Sequence, residues 1–136
     1  MKALVYTSVI SVLLFGQAAP PIGSNYALYW TNPTQDTANA PEVVGTCEVA
    51  ISAATVDLNA VGGVALKTVT GLAFDIGTRG YPLTTLVAGL PNGNYKIWVR
   101  VLDLAGNPST WVAIDQGLDV TPPKPPSGVS CKKLGT

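Results

Sequence analysis

Three oxygen-bearing side chains near predicted turns could hold a cation. Asp103 and Asn107 lie in one turn, and Asp119 begins the Pro-rich end of the chain. Carboxylate and amide oxygens are the ligands that Ca²⁺ prefers. The alternative is that these side chains accept hydrogen bonds from their own turns, as Asp and Asn commonly do. The sequence lacks the dense carboxylate spacing of a committed calcium site, so it favours the turn role and leaves Ca²⁺ as a weak candidate.

The residues that could serve catalysis are few and scattered. Asp57, Asp75 or Asp115 could supply paired carboxylates for glycoside hydrolysis, but nothing in the sequence brings two of them together. The chain has no histidine, which excludes Ser-His-Asp and Cys-His catalysis and histidine metal sites. We therefore expect no catalytic residue, no metal centre and no cofactor, and a protein that is not an enzyme.

A possible contact patch comes from alternate residues of one predicted strand. Lys96, Trp98 and Arg100 point to the same side of that strand. An exposed tryptophan between two cations could bind a protein or a glycan, because Trp and Arg are enriched at binding hot spots. The alternative is that Trp98 is covered by a neighbouring strand or by the Lys and Arg stems. We favour this alternative, because single aromatic residues at protein surfaces are common and by themselves do not indicate a binding site.

The strand that carries this patch is the clearest element of the sequence. Tyr95, Ile97, Val99 and Val101 alternate with the polar-side residues, and turns rich in Pro, Gly and Asn bound the strand on both sides. One apolar face and one polar face are typical of an antiparallel sheet packed on a single core.

Other segments show the same strand character. We predict strands near residues 25–31, 45–58, 84–90 and 111–120, and a strand over 64–76 that Gly71 interrupts. No segment after residue 18 has a sustained helical period. The sequence therefore predicts an all-β, seven-stranded antiparallel sandwich over residues 19–120 and a Pro-rich C-terminal tail over 121–136.

Residues 1–18 have the layout of a secretory signal peptide. A basic start at Lys2 precedes an apolar run that ends at Gln17, and small residues lie before the expected cleavage point. The run is too short for a spanning helix, which needs about 20 apolar residues. The alternative is a retained apolar N-terminal strand, since many of its residues favour strands. We expect a protein that is secreted, at the cell surface or in the periplasm, with no stable membrane span after processing.

The charge content restricts the partners. The chain has 8 basic and 8 acidic residues, and charged residues make up only 12% of it. No basic patch of the kind that nucleic acid requires is present. The expected partners are therefore a protein or glycan surface, or copies of the chain itself.

One region resembles a known family. The turn before Tyr95 is similar to the tyrosine corner of immunoglobulin-like sandwiches. Residues 95–109, which read Tyr-x-Ile-x-Val-x-Val-x-Asp-x-Ala-Gly-Asn-x-Ser, resemble fibronectin type III and bacterial Ig-like modules. Residues 119–126, Asp-Val-Thr-Pro-Pro-Lys-Pro-Pro, are similar to the joints between such modules. The resemblance covers about 85–126 and implies a sandwich fold.

The two cysteines could form a disulfide. If the strand of Cys47 is the second strand of such a sandwich, it begins at the pole where the last strand ends, and Cys131 in the tail could fold back to it. Such a bridge would stabilise the fold by very roughly 4–5 kcal/mol, and export favours oxidation. The alternatives are that Cys47 is a small buried apolar residue and that Cys131 is free or joined to another chain.

These observations favour an exported, non-catalytic β-sandwich module with a structural or adhesive role. The alternative is a repeating subunit of an extracellular filament or virion surface, in which the apolar N-terminal segment is donated as a strand to the next subunit.

Overall fold

The computed structural model describes residues 21–135. This part of the chain is mostly β. Its strands are β1 (Ala27–Leu28), β2 (Val44–Ala53), β3 (Lys67–Ala73), β4 (Tyr81–Pro82), β5 (Gly93–Asp103) and β6 (Val112–Leu118). Two four-residue helices, α1 (Ile76–Arg79) and α2 (Thr84–Val87), lie on either side of β4. The predicted signal peptide or N-terminal strand over 1–18 lies outside the described residues.

The main sheet has four antiparallel strands in the order β3-β2-β5-β6. The predicted alternation along β5 is confirmed, because Tyr95 and Ile97 are buried in the core and Val99 packs against it. A second, two-stranded antiparallel sheet is formed by β1 and β4. Ile22 adds an isolated parallel bridge to Leu118 at the end of β6.

The hydrophobic core lies between the main sheet and the segment that contains β4 and α2. The sheet contributes Val49, Ile51, Tyr95, Ile97 and Leu118, and the opposite side contributes Tyr81, Leu83, Leu86 and Val87. Full burial of each large aliphatic side chain stabilises the fold by about 1.5–3 kcal/mol. The core thus joins both antiparallel sheets, as a sandwich requires.

The strand predicted over 84–90 is wrong, because this segment contains α2. The amide of Val87 donates to the carbonyl oxygen of Leu83, and Leu86 and Val87 both face the core. Lys67 Nζ donates to the carbonyl oxygens of Thr85 and Ala88, at 2.8 and 3.2 Å. These are carbonyls that a short helix leaves without an internal partner. The stabilising group comes from β3, so the local sequence does not reveal this helix.

The other predicted strands are mostly shorter in the structure. The segment near 25–31 has only the two residues of β1, and β2 ends at Ala53. The interruption predicted at Gly71 is confirmed. Between the Cys47–Leu72 and Val49–Val69 pairs the register shifts, and Gly71 has φ +69°. Residues 21–135 therefore contain six strands rather than the seven predicted over 19–120.

The tail has no regular structure. Residues 121–135 contain no helix or strand, and all of them are exposed. The tail begins beside the start of β5, since Leu118 at the end of β6 pairs with Gly93.

Candidate functional site

The structure buries the tryptophan of the predicted contact patch. Trp98 is only 4% exposed, and its indole Nε1 donates to Ser52 Oγ at 2.9 Å. Its cross-strand neighbours are Ala50 and Ala113, whose small side chains leave room for an indole on this face. The polar face of β5 is therefore covered at its centre. This agrees with the alternative that Trp98 is covered, and Trp98 is not an exposed contact residue.

The two cations of the same patch make ion pairs within the sheet. Lys96 Nζ lies 2.8 Å from Asp115 Oδ1, and Arg100 Nε lies 2.6 Å from Glu48 Oε1. Each pair joins residues that lie directly opposite on neighbouring strands. The guanidinium of Arg100 also lies 4.5 Å from the centre of the Trp111 ring, within cation–π range. The geometry thus assigns these side chains to cross-strand contacts.

Asn59, which no sequence pattern singled out, holds the long connection between β2 and β3 against the segment that leads into β6. Asn59 Nδ2 donates to the carbonyl oxygen of Trp111, and the Trp111 amide donates to Asn59 Oδ1, both at 2.9 Å. These bonds tie residues 54–66 to the segment that leads into β6. Asn59 lies in a turn sequence and has no local feature that would identify its distant partner.

The weak calcium candidates do not converge. Asp103 lies at one end of β5, whereas Asp119 follows Leu118 beside the other end. The structure therefore contradicts a shared site of Asp103, Asn107 and Asp119. In the part of the chain from 21 to 135, no group of three or more His, Cys, Asp or Glu residues is placed to hold a metal ion.

The carboxylates of Asp103 and Asp119 accept separate sets of hydrogen bonds. Asp103 Oδ1 accepts from the amides of Ala105 and Asn107, and Oδ2 accepts from Asn107 Nδ2. The bond from the Asn107 side chain, followed by those from the turn backbone, lowers the pKa of Asp103 below its usual value. Asp119 Oδ1 accepts from Asn92 Nδ2 and from the amide of Thr121.

The structure does not show the predicted disulfide, since both cysteines are free. The strands β2 and β6 are both antiparallel to β5 and hence run in the same direction. Cys47 pairs with Val101, while β6 ends opposite Gly93, a separation of roughly 27 Å along the sheet. The strand of Cys47 therefore begins at the pole opposite the one where the tail leaves.

The environment of Cys47 also separates it from the tail. Its side chain is fully buried, and its Sγ lies 3.8 Å from Asn32 Oδ1 and from the carbonyl oxygen of Phe74. Burial raises the pKa of this thiol. Cys131 lies in the exposed tail. Cys47 thus has the role of a small buried residue, one of the alternatives that the sequence left open.

Each of the three acids considered for glycoside hydrolysis has its own hydrogen-bond or ion-pair partner. Asp75 pairs with Arg79 at 3.0 Å, and this hydrogen-bonded partner lowers the pKa of Asp75. Asp115 pairs with Lys96. Asp57 Oδ1 accepts from the amide of Asn59 at 2.8 Å. Their partners place these carboxylates in local or cross-strand contacts.

Two open surfaces remain as candidate sites. The first, which we call the aromatic depression, has a volume of about 390 Å³ and is lined by Tyr29, Trp30, Thr31, Gly77 and Thr78. A Cβ atom at Gly77 would lie 2.5 Å from the Trp30 ring, so the close packing of α1 on this ring requires glycine. Trp30 Nε1 donates to Asn32 Oδ1 at 3.0 Å, which orients the indole.

The second surface, which we call the acidic groove, has a volume of about 400 Å³ at the far end of β5. It lies between the loop around residues 33–44 and the turn around residues 103–109. Its apolar lining comes from Pro33, Val44, Val101 and Pro108, and its carboxylates come from Asp36, Glu42 and Asp103.

Comparison with protein-family models, with curated proteins and with solved structures finds no match to this chain. Neither helix in residues 21–135 has the length and apolar content needed to cross a membrane.

Proposed function

We propose that this protein is an exported, non-catalytic β-sandwich module of the fibronectin type III or bacterial Ig-like kind, with a structural or adhesive role. The observation that carries the proposal is the strand order β3-β2-β5-β6 of the main sheet. If β5 and β6 correspond to strands F and G of an Ig-like sandwich, then β2 and β3 correspond to C and C′. On this assignment, Cys47 lies on strand C and not on the second strand.

Tyr95 supports the same assignment. Its hydroxyl donates to the carbonyl oxygen of Pro91 at 2.5 Å, four residues before it and two residues ahead of β5. A tyrosine at the start of strand F that hydrogen-bonds to the backbone a few residues upstream defines the tyrosine corner of Ig-like domains. The antiparallel pair of β1 and β4 would then represent strands B and E of the facing sheet.

The non-catalytic part of the proposal is supported by how the carboxylates are used. Glu48, Asp75 and Asp115 pair with cations, and Asp36 and Asp103 accept hydrogen bonds from their own turns. A general acid and base need two carboxylates directed at one reacting group. The observed contacts instead stabilise the sheet and its turns.

The aromatic depression is the surface that best fits an adhesive role. Tyr29 is 65% exposed and lies beside Trp30 in an open, shallow site. Aromatic rings offer apolar contact area next to polar atoms, which suits protein or glycan surfaces. On this proposal the contact surface lies here and not on the polar face of β5.

The proposal is tested by secreting the full-length chain, measuring its intact mass, and screening the product on immobilised glycans and extracellular proteins. We expect a mature chain without residues 1–18 and binding that Tyr29→Ala weakens at least about fivefold, because one ring supplies much of the contact area. The control is Val61→Ala, a fully exposed position outside the depression. A retained leader would contradict removal of residues 1–18 as a signal peptide, and binding that Tyr29→Ala leaves unchanged would contradict this surface.

One observation favours the alternative, a filament subunit assembled by strand donation. The amide of Ile22 donates to the Gly117 carbonyl and the Asp119 amide donates to the Ile22 carbonyl, both at 2.9 Å. The chain that leads out of the N-terminal segment is thus seated along β6. A retained segment of residues 1–18 in the intact mass, together with high-mass assemblies in size exclusion, would favour strand donation over the single module.

A further inference from the structure

Within residues 21–135, no basic residue balances the negative charge of the acidic groove. None of the Lys or Arg residues in this range lines it, and the described ion pairs use other carboxylates. Asp36 Oδ1 is held by the amides of Ala38 and Ala40 at 2.8 and 2.9 Å. Asp103 is held by its own turn. Two of the three carboxylates are therefore fixed in position beside an apolar lining.

The unbalanced positive charge of the described chain lies in the tail. Four basic side chains already have partners outside the groove. Lys67 donates to carbonyl oxygens of α2 and the residue after it, and three others form ion pairs, namely Arg79, Lys96 and Arg100. The remaining lysines of residues 21–135 are all in the exposed tail: Lys124, Lys132 and Lys133. Lys124 is flanked by two pairs of prolines, in the order Pro-Pro-Lys-Pro-Pro over 122–126.

The chemistry of the Lys124 segment matches that of the groove. Proline-rich segments favour the polyproline II conformation, which loses little entropy on binding and presents apolar rings on an extended backbone. Prolines can contact the apolar lining formed by Val44, Val101 and their neighbours, while the ammonium of Lys124 lies among the carboxylates. Opposite charges of this kind favour association and fix its register.

Distance keeps Lys124 from reaching Asp103 in the groove of its own molecule. The groove includes Asp103, ten residues along β5 from Gly93, where the tail leaves. This separation is roughly 34 Å. Lys124 is six residues beyond Leu118, which gives a reach of about 19 Å in polyproline II and at most about 22 Å when fully extended.

We propose that the acidic groove of one molecule binds the Pro-rich segment around Lys124 of a second copy, joining copies head to tail. The groove and the start of the tail lie at opposite poles, so the contact is heterologous and leaves a free groove and a free tail on every pair. Contacts of this type propagate into open chains unless their rotation closes a ring. Such head-to-tail contacts do not depend on the Ig-like assignment of the strands.

Sedimentation velocity of the full-length secreted protein over a range of concentrations tests the proposal. We expect concentration-dependent association that weakens as salt is raised, because the charged groups are exposed. Glu42→Lys in the groove and Lys124→Glu in the tail should each weaken the association at least about tenfold, since each places like charges in contact. Asp57→Lys, which changes the net charge as much as Glu42→Lys but lies outside the groove, is the matched control and should associate as the unmodified protein does.

A mixture of the two charge-reversed variants gives the decisive result. Each variant alone should associate at least about tenfold more weakly than the unmodified protein. The mixture should associate, because the unmodified tail of the Glu42→Lys protein fits the unmodified groove of the Lys124→Glu protein.

Three outcomes would overturn the proposal. One is the absence of association at about millimolar concentration, where even weak contacts are populated. Another is association that survives both reversals, which would assign assembly to a different surface such as a donated N-terminal strand. The third is association that Lys132→Glu abolishes while Lys124→Glu leaves it intact, because a different tail segment would then be the occupant.

Discussion

Tyr95 combines two stabilising contacts in one side chain. Its ring is buried in the core, and its hydroxyl donates to the carbonyl oxygen of Pro91. Tyr95→Phe keeps the ring and removes the hydrogen bond, so we expect the free energy of unfolding to fall by about 0.5–1.5 kcal/mol. Urea unfolding followed by tryptophan fluorescence measures this change. Tyr26→Phe is the matched control, because Tyr26 is 50% exposed, and an equal loss in both variants would show that the Pro91 bond has no special role.

The two cysteines occupy opposite environments, and their reactivity should differ accordingly. Cys47 is fully buried with a raised pKa, while Cys131 is exposed in the tail. Because the thiolate is the reactive form, we expect a thiol reagent at pH 8 to modify Cys131 rapidly and Cys47 only after denaturation. Mass spectrometry of digested samples identifies the modified residue. If no thiol reacts until a reductant is added, this result would contradict the free cysteines of the structure and would support the disulfide that the sequence predicted.

At the scale of elements, the side chain of Asn59 ties the connection over residues 54–66 to the segment before β6. Asn59 makes two hydrogen bonds to the backbone of Trp111, next to the ring on which Arg100 stacks. We expect Asn59→Ala to lower the free energy of unfolding by about 1–3 kcal/mol, since two hydrogen bonds are lost. Hydrogen exchange should also become faster at the Trp111 amide, which loses its acceptor.

The control for this prediction is Thr55→Ala in the same connection, at an exposed position. It should leave both the stability and the exchange rate nearly unchanged. Slow exchange at Trp111 in the Asn59→Ala protein would show that the connection is held by other contacts.

At the scale of the whole molecule, groups whose pKa changes on folding should make the protein less stable at low and at high pH. Asp75 and Asp103 have lowered pKa values in the folded chain because of hydrogen bonds from Arg79 and from Asn107. Their stabilising effect is present above the unfolded value of about 3.8 and is lost as pH falls through the folded pKa. Burial raises the pKa values of Cys47 and Tyr81. Stability should therefore also fall as pH rises above about 9, where the unfolded chain begins to release protons that the folded chain retains.

Melting temperatures between pH 2 and pH 11 measure this window. We expect a plateau between about pH 5 and 8.5, with a fall on either side. In the Asp103→Ala protein the melting temperature should be lower than in the unmodified protein at pH 7, and the difference should shrink below pH 3. In the Cys47→Ala protein the fall above pH 9 should be smaller. A difference for Asp103→Ala that stays constant down to pH 2 would contradict the role assigned to its carboxylate.

The sequence by itself determined the features that short-range chemistry encodes. The alternation from Tyr95 to Val99 specified which face of β5 enters the core, because successive side chains of a strand point to opposite faces. Gly71 marked the irregularity in β3, because a positive φ favours glycine. The mostly β character of residues 21–135 was predictable for the same reason.

The tertiary structure alone decided the features that depend on distant residues. Lys67 donates from β3 to carbonyl oxygens at the C-terminal end of α2, and Asn59 binds the backbone of a residue 52 positions away. Ala50, Ala113 and Ser52 provide the space and the partner that bury Trp98. The direction of β2 relative to β6 places Cys47 far from the tail. Each of these four features depends on which segments of the chain become neighbours in the fold. The free energy that selects these neighbours comes from burial of apolar surface across the whole core, and not from any local run of residues.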